Sequence, residues 1–316
     1  AIALLRQSIV DPRFDQDAID RVRGQVESII QSQEKNPDEM VSRAWDSEAY
    51  GNHPYASQDI GTADTLATIT AKDLKDIHRD IMVQDRVLVS AVGDISAAEL
   101  SDMIDDLLGD LPISSPLPFP DRAVIGLKSG VRVIPFETPQ SVILFGSEGI
   151  NRNDPDFFAA FVLNTIFGGG NFENRLMIEL REKRGLTYGV GTYLSSRDYA
   201  DLFVGKFATA NDRVGEAIQV VQDVWRDIAA NGVTQDELDQ AKTYLTGAYP
   251  LRFDGNAEIA NILIGMQYDG LTPDYVKNRN DVINAVSLQD VKRLAERVIQ
   301  PEALRFMIVG SPQGLD

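Results

Sequence analysis

The sequence predicts an α+β fold made of two tandem copies of one unit, with the first copy N-terminally incomplete. Two matched segments and one gap carry this. Thr70-Ala71-Lys72-Asp73-Leu74-Lys75-Asp76-Ile77 aligns without gaps on Ser287-Leu288-Gln289-Asp290-Val291-Lys292-Arg293-Leu294, at an offset of 217. At the same offset Val89, Val92 and Gly93 fall on Phe306, Val309 and Gly310. Upstream, Gln16-Asp17-Ala18-Ile19-Asp20 matches Gln235-Asp236-Glu237-Leu238-Asp239 at an offset of 219. Self-similarity at a fixed register is the mark of a duplicated unit, and this register leaves residues 123 to about 220 of the second copy without a counterpart, so the first copy is expected to lack roughly its first hundred residues.

Taken in order, the chain opens with a segment ended by Asp11-Pro12. A long helix follows from Phe14-Asp15-Gln16-Asp17 through Ile30, with Ile19, Val22, Val26, Ile29 and Ile30 as its apolar stripe. Residues 37–50 read as a second helix, and Gly51 to Tyr55 as a loop. Thr70 with Asp73 forms an N-cap and its N3 acid, opening a helix to Ile81. Val87–Gly93 is an apolar strand closed by glycine. A helix spans Ser96 to Leu108. Pro112, Pro116, Pro118 and Pro120 then crowd a short run, which predicts an extended spacer and a domain boundary. The expected division is 1–112 (incomplete first domain), 113–122 (linker) and 123–316 (complete second domain).

The second domain begins with strands Val131–Phe136 and Ser141–Glu148. Asp154-Pro155 reads as a helix start with proline at the first helical position. That helix runs to Phe167 and leads into Gly168-Gly169-Gly170. Asn171 can cap the next helix, whose first turn carries Glu173 and whose apolar positions Leu176, Met177 and Leu180 share a face. Arg181, Lys183 and Arg184 fall in its last turn, where cations suit the helix dipole, and Gly185 is the expected stop. A strand follows, with Tyr188, Val190, Thr192 and Leu194 on one face and Thr187, Gly189, Gly191 and Tyr193 on the other. Leu202–Thr209 is the next strand. Val214, Ala217, Ile218, Val221, Trp225 and Ile228 recur at helical spacing, and Thr234 with Glu237 caps a helix to Leu245.

Composition narrows the chemistry. The 316 residues are 43% hydrophobic and 25% charged, with a net charge of −18. Such acidity argues against nucleic acid or an anionic membrane as partner, since both need clustered Lys and Arg. Cysteine is absent, which removes disulfides, thiolate nucleophiles and Cys-ligated metals. No apolar run nears the ~20 residues of a membrane span. The opening Ala1-Ile2-Ala3-Leu4-Leu5 has neither initiator Met nor charged n-region, so a processed or incompletely represented N-terminus is expected. The two histidines, His53 and His78, have no partner at metal-ligand spacing, and read as turn and surface residues. No nucleophile elbow and no phosphate loop occur. What remains is Arg181 and Tyr188, two donors on either side of a tight helix-to-strand turn beside a triglycine loop. They read either as a helix-end arginine and a half-buried tyrosine, or as a pair aimed at a carbonyl or developing oxyanion.

The run Gly169-Gly170 through Asn174-Arg175-Leu176 and on through Leu180-Arg181-Glu182-Lys183-Arg184-Gly185-Leu186-Thr187-Tyr188 closely resembles the C-terminal domain signature of the pitrilysin and mitochondrial-processing-peptidase family of zinc peptidases. Arg152–Phe157, His53-Pro54-Tyr55 with Gly61, and Val92-Gly93-Asp94 agree with it. The resemblance implies tandem homologous domains, each a mostly antiparallel sheet packed with helices, that enclose a substrate chamber. It implies a zinc centre of an inverted H-x-x-E-H motif, absent here, and a glutamate on a later helix. That helix is the one from Phe14, and the ligand position falls on Ile29. Glu27 stands two residues away, about 200° round the helix. The resemblance thus places no metal ligand and no catalytic residue on this chain alone. It makes Arg181 and Tyr188, with Gly168, Gly169 and Gly170, the substrate-binding residues.

The function this implies is that of a non-catalytic, substrate-gripping subunit paired with a zinc-bearing homologue, acting on unfolded peptides. No cofactor is expected on this chain and zinc is expected in the partner. Two alternatives follow from the same resemblance: a complete zinc metalloendopeptidase whose motif lies in the absent segment, and a structural relative without peptidase function, like the core subunits of the respiratory bc complex. Export to the bacterial periplasm is expected by resemblance.

Overall fold

The computed structural model describes residues 2–170 and 173–315. Helices α1 (Ile2–Val10), α2 (Gln16–Gln33), α3 (Pro37–Tyr50), α4 (Ala63–Thr68), α5 (Ala71–Ile81) and α6 (Ala97–Leu108) precede strands β1 (Gly130–Pro135) and β2 (Gln140–Glu148). Then come α7 (Phe157–Phe167), β3 (Val190–Arg197), β4 (Ala200–Ala210), α8 (Val214–Asn231) and α9 (Gln235–Ala248). The chain closes with α10 (Asn256–Tyr268), α11 (Asp274–Ala285), α12 (Leu288–Val298) and β5 (Arg305–Gly310). Contacts divide it into two units. The first is Ala1–Gln31, Asp59–Phe119 and Tyr249–Val276; the second is Ser32–Gln58, Pro120–Ala248 and Lys277–Asp316.

The second unit is a three-layer arrangement around one sheet of order β1-β5-β2-β4-β3. All pairings are antiparallel except β1 with β5, so helices and a mostly antiparallel sheet combine as the expected α+β class and the family resemblance imply. The central strands are covered on both faces, which is why β2 and β5 read as unbroken apolar runs. On one face Ile143, Phe145, Phe207, Phe306 and Ile308 join the apolar sides of α7, α8 and α12. On the other, Val142, Leu144, Leu202 and Met307 meet Val41, Trp45 and Ala49 of α3. Phe145 faces Gly205 across the β2–β4 ladder, and a Cβ on Gly205 would lie 2.1 Å from the Phe145 ring. Glycine at that position gives the ring its room.

The first unit is helical among its described residues. Its capping boxes at Thr70/Asp73 and Ser96/Glu99 form as the sequence predicts. Three expectations are corrected. Val87–Gly93 is not a strand: no strand lies beside it in this unit, and a strand is defined by its ladder, not by its side chains. It is docked instead by side-chain bonds to α10, Ser90 Oγ to the Ala260 carbonyl at 2.8 Å and Gln267 Nε2 to the Val89 carbonyl at 2.9 Å. The α2 stripe is only partly buried: Ile19 and Ile30 are covered, while Val22 is 46% and Ile29 48% exposed. In the second unit, α7 starts at Phe157 rather than at Pro155, because Asp154 turns the chain by accepting from the Asp156 N–H at 2.8 Å.

Candidate functional site

The glycine loop that follows α7 is held from three sides. The N–H groups of Gly168 and Gly169 both donate to the Asn164 carbonyl, at 3.0 and 2.7 Å. The Gly168 carbonyl accepts from Thr192 N–H of β3 at 3.0 Å, and Thr192 Oγ1 donates to Asn164 Oδ1 at 2.8 Å. Tyr244 of α9 donates its hydroxyl to the Gly170 carbonyl at 2.5 Å. A Cβ on Gly169 would lie 2.4 Å from Asn164 Nδ2, and Gly170 has φ +74°. Close approach and a left-handed turn therefore account for the glycines. The result is a braced loop, not a floppy one.

Asn171 and Phe172 lie outside the described residues. The cap of the following helix is Asn174, 2% exposed, whose Oδ1 accepts from Met177 N–H at 2.9 Å. Arg175 begins the helix and anchors it. Its guanidinium forks onto both carboxylate oxygens of Glu237, at 2.6 and 2.9 Å, and reaches Asp227 at 2.7 Å and the Gly232 carbonyl at 3.0 Å. Glu237 is at the same time the N3 acid of the α9 capping box with Thr234. Burial raises the Glu237 carboxyl, but the Arg175 fork and the Thr234 N–H outweigh it and hold it below its ordinary value.

Met177–Glu182 is wound as a π-helix, with Lys183 N–H donating to the Ile178 carbonyl five residues back at 3.0 Å. Such wide turns are rare and gather at functional sites. Leu176, Met177 and Leu180 are buried, as their shared face predicts. Gly185 has φ +58° and ends the helix. Its N–H reaches the Arg181 carbonyl at 3.0 Å, and Leu186 N–H reaches that of Leu180 at 2.7 Å. Each closing bond spans one residue more than the usual Schellman pattern, in step with the π turn. Lys183 at 2.6 Å and Arg184 both pair with Glu179, and Lys183 leads in holding its carboxyl below the ordinary value.

Arg181 therefore leaves the end of a wide helical turn, exposed. Tyr188 stands at the tip of the next bend, where Thr187 Oγ1 donates to the Gly189 carbonyl at 2.8 Å and accepts the Gly189 N–H at 3.2 Å. Its side chain is 89% exposed. The half-buried tyrosine that residue chemistry allowed is not what forms. Beside this bend a groove of about 410 Å³ is lined by Gly168, Gly170, Gly189, Gly191, Tyr193 and Lys206, with Lys206 paired to Asp38 at 2.6 Å. Both histidines are structural: His53 Nδ1 accepts from Tyr55 N–H at 3.1 Å, which leaves Nε2–H to donate to the Asp121 carbonyl at 2.9 Å, and His78 Nε2 bonds the Ile9 carbonyl at 2.8 Å. Ile29 stands on α2 in the first unit, and among the described residues no group of three or more His, Cys, Asp or Glu gathers to hold a metal.

A family model described as the peptidase M16 inactive domain matches residues 68–245, more than half of the chain. The chain belongs to the peptidase M16 inactive-domain family. It is therefore a non-catalytic M16-like protein, and that membership is the ground for placing no zinc on it. Relatives of this M16 chain include a Helicobacter pylori protein named non-peptidase homolog YmxG, 25% identical over 98% of this chain and 72% of its own. The probable mitochondrial-processing peptidase subunit beta of Schizosaccharomyces pombe is 25% identical over 100% of this chain and 71% of its own. A crystal structure of a peptidase M16 inactive domain from Pseudomonas fluorescens superposes with a TM-score of 0.90 at 29% identity, covering 99% of this chain and 74% of that one.

Sequence reasoning missed Asn164, Thr192, Tyr244 and the anchoring role of Arg175. One signal was available. In the α7 sequence FFAAFVLNTIF, Asn164 and Thr165 are the two polar residues of an otherwise apolar, buried run. A buried amide in such a helix has to find a partner.

Proposed function

We propose that this chain is the substrate-gripping, non-catalytic subunit of a heterodimeric zinc metallopeptidase, with the zinc in a homologous partner. Arg181 and Tyr188 hold the backbone of an unfolded peptide, and the braced loop Gly168-Gly169-Gly170 sets their frame. One observation carries the reading. Tyr188 is a large aromatic side chain 89% exposed at the tip of a bend fixed on both sides. Packing gives no reason for it, whereas an exposed phenol on a rigid frame suits recognition at little ordering cost. The subunit name borne by the fission-yeast relative supports assembly with a partner. The twin capping boxes at Thr70/Asp73 and Ser287/Asp290 support a tandem repeat, which the proline-rich run would divide into 1–112, 113–122 and 123–316.

The test is reconstitution. The chain alone should be inactive and bind no zinc, and activity should appear with the partner. Arg181→Ala or Tyr188→Phe in the assembled complex should each lower turnover by about 10²–10³, the loss seen when one transition-state donor is removed. Both substitutions should leave assembly intact. Wild-type turnover in both variants would sink the assigned roles. One tightly bound zinc per chain would overturn the non-catalytic reading itself.

A further inference from the structure

The sequence contains one Asn-Gly dipeptide, Asn231-Gly232, and it lies against the Arg175 anchor. Asn231 is the last residue of α8 and is exposed, while Gly232 caps the helix with φ +71° and is buried. Asn231 Nδ2 donates to Asp227 Oδ1 at 2.7 Å. Gly232 N–H donates to the Ile228 carbonyl at 2.9 Å. The Gly232 carbonyl accepts from Arg175 Nη2 at 3.0 Å, and Arg175 Nη1 reaches the other oxygen of Asp227 at 2.7 Å. Arg175 therefore pins the end of α8 at two points, the carbonyl after Asn231 and the carboxylate that holds the Asn231 amide.

Asparagine before glycine is prone to lose its side-chain amide, because glycine has no Cβ to obstruct the approach of its own nitrogen. The Gly232 nitrogen gives its proton to solvent and bonds to Asn231 Cγ. The Cγ–Nδ2 bond breaks, Nδ2 leaves as ammonia with a proton from solvent, and a cyclic imide closes. Water then opens the ring at either carbonyl and leaves aspartate or isoaspartate; nothing is oxidised or reduced. In the folded chain the first step is blocked twice. The attacking nitrogen is committed to Ile228, and Asn231 is held at helical backbone angles with its amide on Asp227. Both holds last only while the end of α8 stays wound.

We propose that Asn231 is a deamidation site that the Arg175 anchor keeps shut. The product weakens the anchor that restrained it. A carboxylate at position 231 stands four residues from Asp227, a like-charge pair on one helix face where a donor stood before. Isoaspartate adds a backbone methylene ahead of the Gly232 carbonyl that Arg175 holds. The change is irreversible, so it accumulates with the age of the molecule. This inference is independent of the roles given to Arg181 and Tyr188.

The tryptic segment from Asp227 to Lys242 holds no second asparagine, so mass mapping of it reads the conversion directly as the chain ages in mildly alkaline buffer. Folded wild type should convert at least about tenfold more slowly than the same chain in urea, as for a site that reacts only from a locally open state. Arg175→Ala should speed the folded chain at least about fivefold, as expected when the charged donor that holds a local turn is lost. Asp227→Ala, at a side chain 53% exposed, removes part of the same hold with less risk to the fold and should act in the same direction. Val41→Ala, a core truncation on the other face of the sheet, should leave the rate at the wild-type level. Asn231→Asp sets the product directly, and amide exchange at Gly232 should be at least about threefold faster in it. Wild-type rates in both Arg175→Ala and Asp227→Ala would overturn the proposal. So would folded wild type converting as fast as in urea, or an equal acceleration by Val41→Ala, which would assign the reaction to global unfolding. Unchanged exchange at Gly232 in Asn231→Asp would overturn the effect of the product on the anchor.

Discussion

Helices α5 and α12 begin alike and end in different surroundings. Thr70 and Ser287 each close a capping box with an aspartate three residues on. Leu74 and Ile77 correspond to Val291 and Leu294. Val291 and Leu294 are fully buried in the core of the second unit, whereas Ile77 is 46% exposed and α5 buries no residue. The contrast extends to the units. Among the described residues of the first, the buried apolar side chains are Ile19, Ile30, Leu66, Val83, Leu111, Tyr249 and Met266, and both continuous hydrophobic clusters belong to the second. Capping starts a helix, but tertiary burial supplies most of its stability. The same local sequence is therefore worth more in one unit than in the other.

The sharpest way to break this comparison is truncation at equivalent positions. Leu294→Ala should lower global stability by about 2–5 kcal/mol, the range for a large core side chain cut to alanine. Ile77→Ala, at the matching position, should cost less than about 1 kcal/mol. Urea denaturation of both variants measures the difference. Equal losses would show that α5 is packed as tightly as α12.

A second contrast lies in the ion pairs. Arg175 is bidentate to Glu237 and only 17% exposed at its side chain, whereas the Lys72–Asp76 pair of α5 lies on the surface. Arg175→Ala should cost about 2 kcal/mol, because it leaves a partly covered carboxylate without its charged donor. Lys72→Ala should change stability far less, because water screens a pair on the open surface. Acid should weaken the buried ion pairs of the second unit. Burial raises the Glu48 carboxyl, but Arg305 and Arg132 outweigh it and hold it below the ordinary value, as the Arg175 fork does for Glu237. A depressed carboxyl stabilises the fold above its unfolded pKa of about 4.3, and that stability is lost as pH falls through the lower folded value. Thermal melts from neutral pH down to about pH 3 should show the wild type losing stability below about pH 4.3, and Glu237→Gln losing less.

How far the sequence revealed this follows the range of each interaction. Capping boxes, the Gly185 stop, the buried face of the site helix and the apolar stripe of α8 are set within a few residues, and all formed as read. Val87–Gly93 has the side chains of a strand, but its ladder would have to come from elsewhere in the chain, so composition alone overshot. The π turn depends on a single residue of extra winding, which periodicity does not resolve. The Tyr244 clamp joins residues 74 apart, and nothing local marks it. Tyr188 shows the limit from the other side: strand alternation placed it on one face with Val190, which is buried, but the Thr187–Gly189 bend turns it out before the strand begins.

The smallest predicted effect is the most direct test of the comparison, because it changes the same atom in the two copies. Thr70→Ala and Ser287→Ala each remove a capping hydroxyl worth about 1 kcal/mol. In α12 the loss should appear in global unfolding, since that helix is part of the core. In α5 it should leave the global midpoint nearly unmoved and appear as faster amide exchange in the first turns of the helix. The Ser287 hydroxyl and N–H hold the Asp290 carboxyl down at about 2. The stability this gives is present above the ordinary aspartate value of about 4 and lost between about pH 4 and pH 2. The stability difference between wild type and Ser287→Ala should therefore narrow across that window. A difference that persisted unchanged to pH 2 would mean that the hydroxyl acts through packing rather than through Asp290.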